Sequence, residues 1–429
     1  MAGSRDYTIH STVLVILLLI MLVMSNTSCS PTKARNTTGG SPQGISDAGA
    51  QKNDEPVLLA VKVGEKCGYI DSSGKVVIEP HYDAAWDFAE GLGKVGVGGS
   101  YGYVDSSGNP VIELKYNDAH DFSEGLAAVC EGSPWDGTGK WGYIDKKGEY
   151  VIQPSFKTAM DFHEGFAIVG MADFESGRIS GNFQMGCIDK TGNFVIKPDF
   201  NYIEDFSEGM AVIIANMKWG YIDKTGKVVV QPQFGMAKKF SGGLAAVCVG
   251  DCFAVDSKAK WGFVDKTGNM VIEAKYDAVD DFSEGLAPVR ILADEKYTDI
   301  TGASHYLTEG AHDMRGIRGR WAYVDRTGQI VIDPNFDGAQ PFSEGFAAVC
   351  IGNPFDSRKG KWGFVDKTGN YVIDPRFGIV AAFSHGLSHA DIEGWTGFIN
   401  GEGAFTWSTV ATEPELPPLP DSGTQGEQE

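Results

Sequence analysis

Nine copies of one short pattern run through most of this chain, and that repetition limits its fold more than any other feature. The pattern is an aromatic residue, a glycine, a second aromatic, a β-branched residue and an aspartate, then a turn ending in glycine, then an apolar run. Trp362-Gly363-Phe364-Val365-Asp366-Lys367-Thr368-Gly369 is a clear copy. Its first position falls at Cys67, Tyr101, Trp141, Met185, Trp219, Trp261, Trp321, Trp362 and Thr396, with spacings of 34, 40, 44, 34, 42, 60, 41 and 34. A floor of 34 defines the unit, and the longer spacings mark insertions. A chain of 429 residues also exceeds the ~250–300 at which one hydrophobic core stops growing, and stacked units resolve that difficulty.

Each unit reads as three antiparallel strands, typified by Gly125 to Val129, Trp219 to Asp223 and Val228 to Val230. β-Branched and aromatic residues dominate them, as a pleated surface favours. The Asp223-Lys224-Thr225-Gly226 segment carries the chemistry of a type I turn followed by a positive-φ residue, which joins strands two and three as a hairpin. The third strand is expected to stop at proline (Pro80, Pro154, Pro198, Pro232, Pro334, Pro375), which cannot donate to a ladder. In the connector that follows, apolar residues recur three apart, as at Phe156, Ala159 and Phe162, a spacing that suits about one and a half tight turns.

The connector ends in Phe-Ser-Glu-Gly, with Glu at 90, 124, 164, 208, 284 and 344 and with Gly242 and His385 breaking the series. Six equivalent copies argue for structure, either accepting turn N–H groups or bonding across repeats, rather than for catalysis. Trp219, Trp261 and Trp362 are expected to be buried between units as an aromatic ladder. The glycine beside each leaves room for close backbone approach.

These residues resemble the bacterial WG, or KWG, repeat family. Lys-Trp-Gly-Phe-Val-Asp-Lys-Thr-Gly stands verbatim at Lys260 to Gly268 and again at Lys361 to Gly369, and the likeness covers residues 56–407. The resemblance implies a β-rich architecture and supports export. It implies no catalytic residues.

The expected fold is all-β, a tandem array of nine three-stranded units of about 34 residues. The array starts with a first strand and finishes with a third strand, so neither end donates a strand to the other. An open β-solenoid or superhelix is therefore expected, with a closed propeller-like toroid as the alternative.

Outside the repeats, Thr12 to Met24 is a 13-residue apolar run, too short to span a bilayer at ~20 residues but suited to a signal-peptide core. Residues 1–28 thus read as a signal peptide. The small polar residues before Cys29 resemble a lipoprotein cleavage box, making Cys29 the lipidation site, with plain secretion or an uncleaved anchor as alternatives. Residues 29–55 have the composition of a flexible tether and 408–429 that of a disordered, acidic, Pro-rich tail. The expected location is the outside of a cell membrane or outer membrane. Of the other cysteines, Cys130, Cys248 and Cys350 share one repeat position and read as buried free thiols, with a local Cys248–Cys252 bridge as the alternative.

Every major insertion falls between strands one and two: 131–140, 170–184, 249–260, 290–320 and 351–361. Equivalent loops of successive units line one edge, and this rim carries Trp135, Phe174, Phe253, Tyr297, Tyr306 and Phe355 as candidate binding residues. The partner class expected is a protein or a cell-surface glycan. A net charge of −21 argues against nucleic acid. No catalytic residue, cofactor or metal site is expected, since the chain lacks a phosphate-binding loop, a nucleophile elbow and calcium-loop spacing. The alternatives are an enzyme sited in the 290–320 insertion and a structural spacer.

Overall fold

The computed structural model describes residues 58–408 other than 135, 176–177, 253–257, 293–295, 299–303, 307–310, 313–317 and 393. Among the described residues nine small antiparallel sheets follow one another as blades, with a further two-stranded sheet in the longest insertion, and blade 3 shows their plan. A two-residue strand, Asp118–Ala119, pairs with Ala127–Glu131, which pairs with Lys140–Ile144, which pairs with Tyr150–Phe156. The chain then crosses directly to the short strand of the next blade, Thr158–Ala159.

This unit has four strands, not the expected three. The short strand escaped the sequence pattern because two residues cannot show an alternation. Blade 1 shows only Leu58–Val63, Lys66–Asp71 and Val76–Tyr82, and in blade 5 the short strand shrinks to one bridge, Ile203 to Ile213. The connector is accordingly a short strand and a tight turn rather than a helical turn. Its three-residue spacing arises because Phe156 ends one strand, Ala159 sits in the next and Phe162 follows it.

The prolines do not end the third strand. Pro80 lies inside Val76–Tyr82, where the register slips between the pairs Tyr69 to Ile78 and Cys67 to Tyr82. The strand is outermost in its sheet and bulged there, so a missing N–H is harmless. The glycine of each repeat faces the same irregularity. A Cβ on Gly220 would lie 2.5 Å from the carbonyl oxygen of Val230 and 2.7 Å from the nitrogen of Pro232. Blade 7 meets the same constraint with Ala322, fully buried.

The core lies between blades. Leu126, Ala128, Tyr143 and Ile152 of blade 3 pack against Ala167, Val169 and Ile188 of blade 4, and the same exchange recurs around the molecule. The turn glycine of each blade rests on the outer strand of its predecessor: Gly108 on Ile78, Gly148 on Ile112, Gly192 on Ile152, and so on to Gly403 on Ile373. In each case the supporting residue lies four beyond its own blade's turn glycine. Gly74 of blade 1 rests on Thr406 and Trp407 of blade 9, and Trp407 stands four beyond Gly403. Leu59, Val61 and Ile70 complete this contact with Leu387, Phe398 and Trp407.

The array therefore closes, and the protein is a nine-bladed β-propeller rather than an open solenoid. The absence of strand exchange misled the sequence argument, because face-to-face packing closes the ring without a shared sheet. At the disputed cysteine the structure holds a Cys248–Cys252 disulfide, so Cys248 is not a free thiol, whereas Cys130, Cys187 and Cys350 are buried and free.

Candidate interaction face

Phe-Ser-Glu-Gly is spent entirely on joining blades. Phe162 lies edge-on to Tyr143 of the preceding blade at 4.9 Å, and six further pairs repeat the contact at 4.8–5.1 Å. The Tyr143 hydroxyl donates to the carbonyl of Met160, 2.8 Å away, and Tyr69, Tyr103, Tyr221 and Tyr323 bond likewise. Ser123 donates to the Phe162 carbonyl of the next blade at 2.6 Å. Each Glu sits at positive φ in a two-residue turn and accepts the N–H of the following blade's turn glycine, as Glu164 does from Gly209 at 2.8 Å. In five of the six a lysine of that blade's hairpin turn joins it, with Lys224 at 3.1 Å from Glu164.

The inter-blade aromatic is thus the second of the pair. Tyr69, Tyr103, Tyr143, Tyr221 and Tyr323 are fully buried, while Trp219, Trp261 and Trp362 are only half-buried, against the expected ladder. Strand alternation put both aromatics on one face, but the tryptophan sits at the strand end nearest the insertions.

Two faces of the ring result, and they differ chemically. One carries the Phe-Ser-Glu-Gly and Asp-x-Thr-Gly turns, joined by the five Glu–Lys pairs above. The other carries the strand-one to strand-two connections, including every insertion. Val63, Val97, Met171, Met217, Val249, Ile351, Phe355 and Ile379 lie on or beside these connections with 40–62% of their surface exposed. Among the described residues, the other exposed large apolar side chains all lie on the outermost strands, and none is in the turns of the opposite face.

Of the expected binding residues, Phe355 is on this face and is exposed at 62%. Phe174, Tyr297 and Tyr306 fall in strands Ala167–Glu175, Lys296–Thr298 and Ser304–Tyr306 of the insertions, and their side chains lie outside the description. Trp135 and Phe253 lie outside the described residues, as do residues 1–57, with Cys29, and 409–429. The aliphatic members of the face were missed, since Val63, Val97, Val249 and Ile351 each end a strand and look like ordinary core alternation.

The inner ends of the blades hold a second group that the sequence reading missed. Asp87, Asp121, Asp161, Asp205 and Asp281 each precede the connector phenylalanine, with Lys239 in that place in blade 6. Lys94 pairs with Asp121 at 3.2 Å and His120 with Asp161 at 2.8 Å. Burial raises the Asp87 and Asp281 carboxyls and pushes Glu204 up to about 7, with Asp205 and, two blades on, Asp281 adding repulsion. Interaction across two blades is possible only near the ring axis. Among the described residues no three His, Cys, Asp or Glu side chains gather in a way that would hold a metal.

The fold and its faces define a closed propeller of tandem β-repeats. The chain belongs to the WG-containing repeat family, whose model matches residues 68–100, 101–135, 141–172, 185–216, 219–251, 261–297, 321–353 and 362–388, more than half of its length. No curated protein matches the sequence. Among solved structures it is similar to a eukaryotic initiation factor, with 11% identity over 74% of this chain and 94% of that one and a TM-score of 0.38. It is also similar to a tricorn protease (13%, 80% and 42%, 0.34) and to an acylaminoacyl peptidase of Pyrococcus horikoshii (10%, 80% and 58%, 0.33). At those scores the likenesses carry no functional inference.

Proposed function

We propose that the protein is a non-enzymatic binding or scaffold module of the cell envelope that presents its insertion face to a protein or glycan. The observation that carries this reading is the contrast between the faces, one satisfied by charge-paired turns, the other studded with exposed apolar side chains and insertions. Exposed apolar groups rimmed by polar ones are the usual mark of an interaction surface. Export and anchoring through Cys29 are supported by the apolar run Thr12 to Met24 and by a disulfide, which persists in oxidising compartments.

The test is capture of envelope components by the protein, by Val249→Asp/Ile351→Asp/Phe355→Asp, and by Lys190→Ala on the opposite face. The reading expects the triple variant to lose capture at least about tenfold and Lys190→Ala to keep it. Equal capture by all three overturns it. An activity abolished by removing the 290–320 insertion would assign an enzyme instead. Cys29→Ser is expected to release the protein from the membrane fraction.

A further inference from the structure

Blades 3, 6 and 8 carry cysteine at one register of the first strand, opposite the tryptophan: Cys130 to Trp141, Cys248 to Trp261, Cys350 to Trp362. Each is followed by an insertion. In blades 3 and 8 the fourth residue on is proline, Pro134 or Pro354, and in blade 6 it is Cys252, bridged to Cys248.

The base of the insertion is held differently in the two cases. Asn117 accepts the N–H of Gly132 at 2.9 Å, and Asp337 accepts that of Gly352 at 2.7 Å. Asp83 does the same for Gly98 in blade 2, at 2.8 Å. Blade 6 has Gly235 at that position, with no side chain to offer. A Cβ there would lie 2.1 Å from the Gly250 oxygen and 2.7 Å from the Cys252 sulfur. The bridged loop fills the space that the asparagine or aspartate uses elsewhere, so a covalent clasp stands in for a hydrogen-bonded one.

The two sulfurs are not equivalent. Cys248 is buried, whereas Cys252 is only half-buried. The free thiols Cys130 and Cys350 show where a reduced Cys248 would rest, each within 3.6–3.9 Å of the next two carbonyl oxygens. Burial pushes both up to about 12, so they stay protonated and inert.

We propose that Cys248–Cys252 is a redox latch that fixes the base of the insertion, Val249 to Cys252, when closed and releases it when opened by a dithiol reductant. A thiolate of the reductant attacks the accessible Cys252 sulfur, the bridge breaks, and Cys248 leaves as a thiolate and takes up a proton. The second thiol then displaces Cys252 from the mixed disulfide. Two electrons and two protons pass to the protein, and the reductant closes its own disulfide. The loss of the clasp is not made good, because Gly235 cannot accept a hydrogen bond through a side chain. That the latch tunes binding rests on the reading of the insertion face above; the latch itself does not.

The experiment is limited tryptic cleavage of the full chain at Lys258 and Lys260, with and without dithiothreitol, with alkylation reporting the state of Cys248 and Cys252. Reduction is expected to speed cleavage there at least about tenfold while the blades stay uncut. Cys252→Ser is expected to cleave fast under both conditions. Unchanged cleavage with the bridge shown open overturns the latch, and so does slow cleavage of Cys252→Ser. No partner enters these measurements, so they succeed or fail independently of the interaction face.

Discussion

Tyr143 in blade 3 and Trp261 in blade 6 show how the two aromatic positions of the repeat divide their work. The tyrosine is sealed against the next blade's phenylalanine and bonded to its connector; the tryptophan keeps one flank open. Removing only the hydroxyl, in Tyr143→Phe, leaves the Met160 carbonyl unsatisfied and should cost about 1–1.5 kcal/mol in denaturant unfolding. Tyr143→Ala should cost about 3–5 kcal/mol, and Trp261→Ala less than that. Glu204 makes the second residue-scale case. Its folded pKa near 7 exceeds the ordinary 4.5, so its contribution to stability is full below about pH 4.5 and is lost as pH rises through 7. Glu204→Gln still accepts the Tyr202 hydroxyl, 2.9 Å away. The variant should match the parent at pH 4.5 and exceed it at pH 8 by about 1–3 kcal/mol in paired melts.

At the scale of elements, the three longer strands and the Asp-x-Thr-Gly hairpin were legible in the sequence. Their signals are local: alternation, a turn aspartate whose carboxylate takes the Thr225 N–H and hydroxyl, and Gly226 at positive φ. The cross-repeat role of the glutamates was legible as well, from their number. The short inner strand was not, because its pairing is defined by the neighbouring strand rather than by its own residues. The expected ends at proline failed for a related reason, since a bulge on an edge strand removes the demand that proline cannot meet. Glu164→Gln keeps an acceptor for Gly209 but loses the charge that meets Lys224. It should cost about 0.5–1 kcal/mol at low salt and less in 1 M salt, measured as a shift in the urea midpoint. Gly242 shows that the ring tolerates one missing clasp outright.

The whole molecule depends on one interface that no repeat could announce. Closure is decided by accumulated rotation over nine units, a quantity spread over every blade contact and written in no single residue, so the open array expected from the sequence is a closed ring in the structure. The clue that existed was Trp407, a large residue at the place of Ile78 and Ile373. His389, also at this seam, replaces the alanine of Ala128, Ala246 and Ala348. Its Nδ1 has no hydrogen-bond partner among the described residues, and burial lowers it to about 4, partly offset by Asp391. Because the unfolded imidazole binds its proton near 6.5, the contribution of His389 to stability should fall as pH drops from 6.5 and level off below about 4. His389→Ala should gain on the parent as pH drops from 7 to 4, and paired thermal melts read that difference, with a ceiling of about 3 kcal/mol.

The seam has a mechanical consequence as well. Leu59 and Trp407 pack in one cluster, so the two ends of the ring emerge side by side and tension between them meets a single interface before any other. Eight blade contacts are shielded from that load until the ninth parts. After it parts the blades would peel one at a time from the free ends, so the seam acts as the fuse of the ring.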